Sequence, residues 1–220
     1  MRTMHELTGA ALEKMAGALR LLADCYYPPS AELGDRASEL YSLLSELCPQ
    51  AAAPMALGLE GLRGPRGGNA LQVDYARLFV GPFSLLAPPY GSVYLEDERR
   101  VMGESTMQVR AWLAEEGLDL AEDFHEAPDH IAVELELLHF LACREVAARQ
   151  QGDARQALYY QQRQRRFLEQ HLGQWVDQFS EQMELQAGTA FYQALARATR
   201  ELLAVLREQV GASEPAQAVL

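Results

Sequence analysis

An all-α fold follows from three observations: apolar residues recur at steps of three and four along nearly the whole chain, no alternating run is long enough for a strand, and prolines and glycines punctuate the periodic stretches. At 220 residues the chain has the length of one large domain and buries about 70% of its unfolded surface. The expectation is a single compact helical domain over residues 1–220.

Taken in order, Leu12, Met15, Leu19, Leu22 and Tyr26 make the apolar stripe of a first helix that Pro28-Pro29 stops. A second helix spans Leu33 to Leu47 and ends before Pro49. From Gly58 to Gly68 four further glycine and proline positions leave little apolar content, so this stretch reads as a flexible connector and a plausible hinge. A short helix from Ala70 to Phe79 follows, and Ser105 with Gln108 matches a capping box that opens a helix towards Gly117. Pro128 and Asp129 suit the first turn of a helix reaching Gln150, since proline there loses no needed hydrogen bond and the carboxylate meets the positive end of the dipole. Ile131, Leu135, Leu138 and Ala142 form one apolar face of it, and Val133, Leu137 and Leu141 another, which marks the central helix. Helices over Asp153 to His171, Trp175 to Glu184 and Phe191 to Val210 complete the set. Gly91 to Leu95 is too short and too close to prolines for a strand.

Charge limits the partners. The formal net charge is -12, and Glu96 to Glu136 contributes thirteen acidic residues against Arg99, Arg100 and Arg110, a balance of -10. Nucleic acid is excluded as a partner class, because phosphate binding needs a basic footprint. A basic peptide is attracted instead. Cys25, Cys48 and Cys143 show no paired spacing and read as reduced, mostly buried thiols of a cytoplasmic protein. Arg2, Glu6, Glu13 and Lys14 break any apolar run near the start, so neither a secretory signal nor stable membrane insertion is expected.

Catalytic and metal patterns do not accumulate. Glu136-x-x-His139 has the spacing of a di-iron helix motif, but such sites need a second copy, and Glu169 and His171 are two apart. Ser92, Asp129 and His130 offer the residue types of a triad without the strand and elbow that expose a nucleophile. The glycine-rich stretch before Gly68 lacks the lysine of a phosphate loop. Arg163, Arg165 and Arg166 form a basic spot that either is solvated or lies against the acidic half of the molecule. No enzyme activity, cofactor or metal is expected.

The stretch from Asp74 to Tyr94 is different in kind, with five aromatics, three prolines and two glycines. Rings supply large apolar area at low entropy and prolines fix turns, which suits a preformed surface for an extended ligand. Its pieces Tyr75-x-x-Leu78-Phe79-x-Gly81-Pro82 and Pro88-Pro89-Tyr90-Gly91-Ser92-Val93-Tyr94 are followed by Gly103-Glu104-Ser105-Thr106, Val109-Arg110 and Pro128-Asp129-His130. In this order and spacing the chain, from Leu71 to Leu206, resembles the TorD/DmsD/NarJ family of maturation chaperones for molybdenum enzymes. The resemblance implies a single all-helical chaperone domain, monomeric or dimeric by helix exchange, that binds the twin-arginine signal peptide of a molybdopterin oxidoreductase and holds the apoenzyme in the cytoplasm until its cofactor is inserted. It also implies a peptide site built from Tyr75, Leu78, Phe79, Phe83, Pro88, Pro89, Tyr90, Ser92, Tyr94, Asp129 and His130, with Asp129 pairing the guanidinium groups. Steering of the basic leader falls to Glu96, Asp97 and Glu98. In the branch serving dimethyl sulfoxide reductases the positions of Tyr75, Phe83, Tyr90 and Tyr94 are typically tryptophan, and Ile131 to Phe140 looks more like relatives serving nitrate-, selenate- or dimethyl-sulfide-type enzymes. Two alternatives remain open at this point: a guanine-nucleotide-dependent maturation factor, and a helical scaffold or regulator with a different partner.

Overall fold

Helix α1, Gly9–Asp24, lies along α7, Ile131–Gln150, and the pair forms the middle of the structure. A computed structural model describes residues 9–63, 67–81, 85–96, 101–121 and 124–211. Around the central pair run α2, Leu33–Leu47, α3, Pro49–Arg63, α4, Gly67–Tyr75, the one-turn α5, Ser92–Leu95, α6, Glu104–Glu115, α8, Ala154–Phe167, α9, Gly173–Gln186, and α10, Ala190–Gly211. Helix α4 continues through a π-turn over Ala76–Val80, where the Gly81 N–H reaches the Ala76 carbonyl at 2.7 Å, and α8 passes into α9 through a second π-turn over Leu168–Leu172. Among the described residues no strand forms, and the sole ladder contact is an antiparallel bridge between Tyr90 and His130.

One apolar cluster runs through all the large helices. Trp175, Tyr26, Tyr192, Phe167, Phe179 and Phe191 are its largest fully buried side chains. Each such ring stabilises the fold by roughly 1.5–3 kcal/mol relative to exposure. Helix α7 is buried on most of its circumference, as its double apolar face predicts, and it takes two carboxylates inside with it. Glu145 meets Arg149 at 2.7 Å and the Gln164 amide at 2.7 Å, and Glu134 belongs to the site below. Burying a carboxylate costs several kcal/mol unless donors compensate it, so both positions need these partners.

The connector expected at residues 58–68 is corrected. Gly58 to Arg63 is the last part of α3, Gly67 and Gly68 open α4, and residues 64–66 lie outside the described residues. The glycine serves close packing: a Cβ at Gly58 would stand 3.1 Å from the Ala194 Cβ and 3.2 Å from the Phe191 Cα, so α3 approaches α10 there. A run that reads as backbone freedom is a helix–helix contact. Two helix starts also move. Helix α6 begins at Glu104 without a capping box, because the Ser105 N–H and hydroxyl both donate to the Glu96 carboxylate, at 3.0 and 2.6 Å. Helix α7 begins at Ile131 and not at Pro128-Asp129. His130 is its N-cap, with Nδ1 accepting the Ala132 N–H at 3.2 Å. Of the thiols Cys25 and Cys48 are buried, but Cys143 is exposed.

Candidate functional site

The sequence motifs around Tyr90 and His130 meet at the N-terminus of α7. The Gly91 N–H donates to the Asp129 carbonyl at 2.9 Å, and the Ile131 N–H donates to the Pro89 carbonyl at 2.8 Å. The Ser92 N–H donates to Asp129 Oδ2 at 2.7 Å. Residues 89–92 are thereby laced to residues 129–131 by three bonds, which keep His130 extended and α5 seated. Asp129 has 0% exposure, so its carboxylate is a backbone acceptor inside the protein. The expected pairing of Asp129 with an incoming guanidinium is corrected for this conformation: the group is enclosed and one of its oxygens is engaged.

His130 is 3% exposed and its ring stacks on Tyr27, with Tyr90 and Phe124 meeting it edge-on at centroid distances of 5.4 and 6.3 Å. Burial pushes its pKa down to about 4, against the pull of Glu126 and Asp129. The imidazole is therefore neutral at neutral pH, and since Nδ1 accepts, the proton sits on Nε2. Ser92, Asp129 and His130 do not form a relay, because Asp129 takes a backbone N–H and His130 Nδ1 faces Ala132.

Beneath α5 lies a buried polar group that residue spacing does not reveal. Glu134 accepts from His171 Nδ1 at 3.2 Å and from Trp175 Nε1 at 3.3 Å, while His171 Nε2 meets the Ser105 carbonyl at 3.0 Å. A carbonyl can only accept, so Nε2 carries a proton, and Nδ1 and Glu134 hold a second one between them. Burial raises the Glu134 pKa, and the Glu134 carboxylate raises that of His171 despite its burial. Gly91 sits against this group: a Cβ there would lie 2.9 Å from Trp175 Nε1 and 3.2 Å from Glu134 Oε1, so the loop needs a residue without one. Tyr94 stacks on Trp175 at 5.6 Å and 18°, closing the contact from above.

The other expected peptide residues divide by depth. Leu78 and Phe79 are buried; the Phe79 ring packs among Tyr26, Tyr75, Phe179 and Tyr192, so Phe79 is core and its expected role as a ring facing a peptide groove is corrected. Pro88, Pro89 and Ser92 are buried as well, which removes them from direct contact in this conformation. Phe83 lies outside the described residues, as do Asp97 and Glu98. Tyr75, Tyr90 and Tyr94 are half-buried and reach the surface.

Two residues at that surface escaped the sequence reading. Glu126 is exposed and accepts from the Tyr90 hydroxyl. Burial, and then the Glu126 carboxylate, push the Tyr90 pKa up, so the phenol stays a donor. Tyr27 donates to Glu136 at 3.0 Å while its ring covers His130. Glu126 lies three residues before Asp129 at the start of the segment that carries the Pro128-Asp129-His130 motif, but it is not among the expected site residues. The basic spot resolves into internal pairing for Arg163, which bridges Glu115 and Glu116 at 2.8 Å each and lies 3.9 Å over the Trp112 ring. Glu136 and His139 point to different partners, Arg20 with Tyr27 and the Ala16 carbonyl respectively.

The comparisons with known proteins agree with this architecture. A Tat proofreading chaperone DmsD from Salmonella typhimurium is 29% identical over 192 residues, covering 84% of each chain. A DmsD chaperone from Haemophilus influenzae is 33% identical over 130 residues, 59% of this chain and 57% of its own length. The chaperone protein TorD of a Psychrobacter strain is 30% identical over 151 residues, 67% of this chain and 66% of its own. Among solved structures a redox enzyme maturation protein from Archaeoglobus fulgidus superposes with a TM-score of 0.54 at 23% identity, over 86% of this chain and 94% of that one, a likeness of fold. The sequence profile of the nitrate reductase delta subunit family matches residues 37–181. That match runs from α2 into α9 and takes in both laced segments and the buried group beneath them, so the chain belongs to the nitrate reductase delta subunit family.

Proposed function

We propose that the protein is a non-enzymatic cytoplasmic chaperone that binds the twin-arginine signal peptide of a molybdopterin oxidoreductase and holds the apoenzyme until its cofactor is in place. The observation that carries this reading is Glu126, an exposed carboxylate held by the Tyr90 hydroxyl at the edge of a rigid, motif-rich surface. A guanidinium reaching this carboxylate pairs with it through its two-pronged donor face, and a carboxylate already bonded to Tyr90 keeps acceptor positions free. The half-buried rings of Tyr75 and Tyr90 lie within reach of the Glu126 charge, and the acidic balance of -10 over residues 96–136 attracts a basic leader. Asp129, His130, Pro89 and Ser92 act from below by fixing the loop that carries Tyr90. Relatives named Tat proofreading chaperone and chaperone protein support the reading.

Calorimetric titration with a synthetic twin-arginine leader, against a peptide of the same composition in scrambled order, tests it. Glu126→Gln is expected to weaken leader binding about tenfold, equal to ~1.4 kcal/mol, with thermal stability unchanged. Asp129→Asn is expected to lower stability first and affinity only as the loop loosens. Equal affinity for leader and scrambled peptide sinks the proposal. An unchanged affinity in Glu126→Gln removes that residue from it.

A further inference from the structure

Val101, Met102 and Met107 are large apolar side chains left 44%, 73% and 58% exposed within seven positions at the start of α6. The chain spends conformational energy to show them. Met102 has φ +73°, the left-handed region that a long side chain rarely adopts. Just after Met102 the backbone is held by Glu96: its carboxylate takes both the N–H and the hydroxyl of Ser105, and it lies so close over Gly103 that a Cβ there would stand 1.6 Å from Oε2. A side chain at 103 would displace the Glu96 carboxylate and open the clasp. The clasp therefore holds Gly103 and Ser105 against Glu96, with Met102 exposed beside it, while the Met107 N–H bonds back to the Gly103 carbonyl at 3.4 Å.

We propose that Val101, Met102 and Met107 form a docking platform for the apolar segment that follows the arginines of the bound leader. This rests on the signal-peptide reading above. Three observations select that occupant. The platform follows directly from the site: five residues separate Tyr90 from Glu96, four of them the turn of α5, so the clasp stands on the order of 10 Å from the Tyr90–Glu126 pair. An export leader places its positive residues immediately before a run of roughly 7–15 apolar ones, so a chain whose arginines meet Glu126 delivers apolar residues over that span. Methionine is the side chain suited to such a ligand, because its flexible thioether conforms to apolar runs of differing sequence. Finally, exposed Glu104 borders the platform and the protein carries a net charge of -12, so a second copy of this chain would bring like charge to the contact while a basic leader brings the opposite one.

The test uses the full-length protein with two synthetic peptides: one with adjacent arginines followed by about ten leucine and alanine residues, the length of a leader's apolar run, and one with that run replaced by serine. The double variant Met102→Asn and Met107→Ser keeps a residue that tolerates positive φ at 102 and changes only exposed side chains. The wild type is expected to bind the apolar peptide more tightly than the serine peptide, and the double variant to lose about tenfold for the apolar peptide and nothing for the serine one. Glu126→Gln weakens both peptides alike, which separates the two parts of the site. If the double variant holds both peptides as the wild type does, the platform is overturned while the Glu126 reading stands. If the wild type binds neither peptide, both fall. A wild type that self-associates, with the variant monomeric and peptide binding unchanged, also overturns the proposal and makes the patch a contact between copies.

Discussion

Asp129 and Glu126 are carboxylates three residues apart, and the chain puts them to opposite uses. Asp129 is enclosed, takes the Ser92 N–H and helps lace two segments together; Glu126 stands in solvent with the Tyr90 hydroxyl as its partner. The same division holds for the aromatic stretch, where Phe79 is sealed among four neighbouring rings and Tyr90 opens to the surface. Much of what makes this region recognisable as a motif is therefore support, and the surface it supports is made of residues with weaker sequence signals. Support is costly to alter because it is buried, whereas surface contact is costly only to the partner.

The largest effect belongs to the supporting half. Truncating Phe79→Ala removes a ring that touches Tyr26, Tyr75, Phe179 and Tyr192, and the cavity and lost burial are expected to cost about 3–5 kcal/mol of stability. Urea unfolding measures it, and leader binding below the transition is expected to stay within about twofold, since less than a kcal/mol of contact changes. A stable Phe79→Ala variant that binds poorly would break the comparison by moving Phe79 to the contact surface.

A second probe is pH. The folded-state pKa of His130 lies near 4 against 6.5 for the free group, so the folded form holds the neutral ring and the unfolded form takes up a proton first. Its contribution is present in full above pH 6.5 and is lost as pH falls towards 4, a change on the order of 3 kcal/mol. The facing groups are Glu126 and Asp129, both raising its pKa, and Tyr90 and Tyr27, which cover it. His171 works in the opposite sense: its pKa is raised in the folded state, so its contribution is full below 6.5 and falls as pH rises through the folded value. Melting wild type and His130→Asn between pH 7 and pH 4 separates them, because asparagine keeps an N-cap acceptor for Ala132 and carries no titration. The variant is expected to show a shallower acid decline. An identical decline assigns the acid limb to other groups.

How much of this was legible in the sequence follows the same division. Helical periodicity located α2 to the residue, α7 to within its first turn, and the last two helices closely, because apolar spacing and burial are the same fact seen twice. It failed at residues 58–63, where Gly58 is small to admit α10 and not to loosen the backbone; local composition cannot distinguish these when the partner is more than a hundred residues away. The motif pieces Pro88 to Tyr94 and Pro128 to His130 were placed together correctly, yet their depth was not readable, since a proline or an aspartate in a motif looks alike whether it touches a ligand or holds a loop. Glu134 with His171 and Trp175 shows the same limit. These partners sit 37 and 41 positions from Glu134, and only the fold reveals that a carboxylate on the central helix lies beneath Gly91.

The smallest expected effect tests the join between support and surface. Tyr90 belongs to both: its ring meets buried His130 edge-on at 5.4 Å and its hydroxyl holds exposed Glu126. Tyr90→Phe keeps the ring contact and removes only the tether, so stability is expected to change by less than about 1 kcal/mol. Two outcomes for binding oppose each other. The hydroxyl occupies one acceptor position on Glu126, and its removal frees that position for a guanidinium; it also fixes the carboxylate, and without it the carboxylate must be ordered by the ligand. A carboxylate has about four acceptor positions and a guanidinium uses two of them, so competition is the weaker effect and loss of ordering the stronger. Affinity for the twin-arginine leader is therefore expected to fall about two- to fivefold, or roughly 0.4–1 kcal/mol. Calorimetric titration of wild type and Tyr90→Phe with the same peptide reads the sign directly: a rise in affinity would show that the tether competes with the leader, and Tyr90 would then belong with Asp129 to the support.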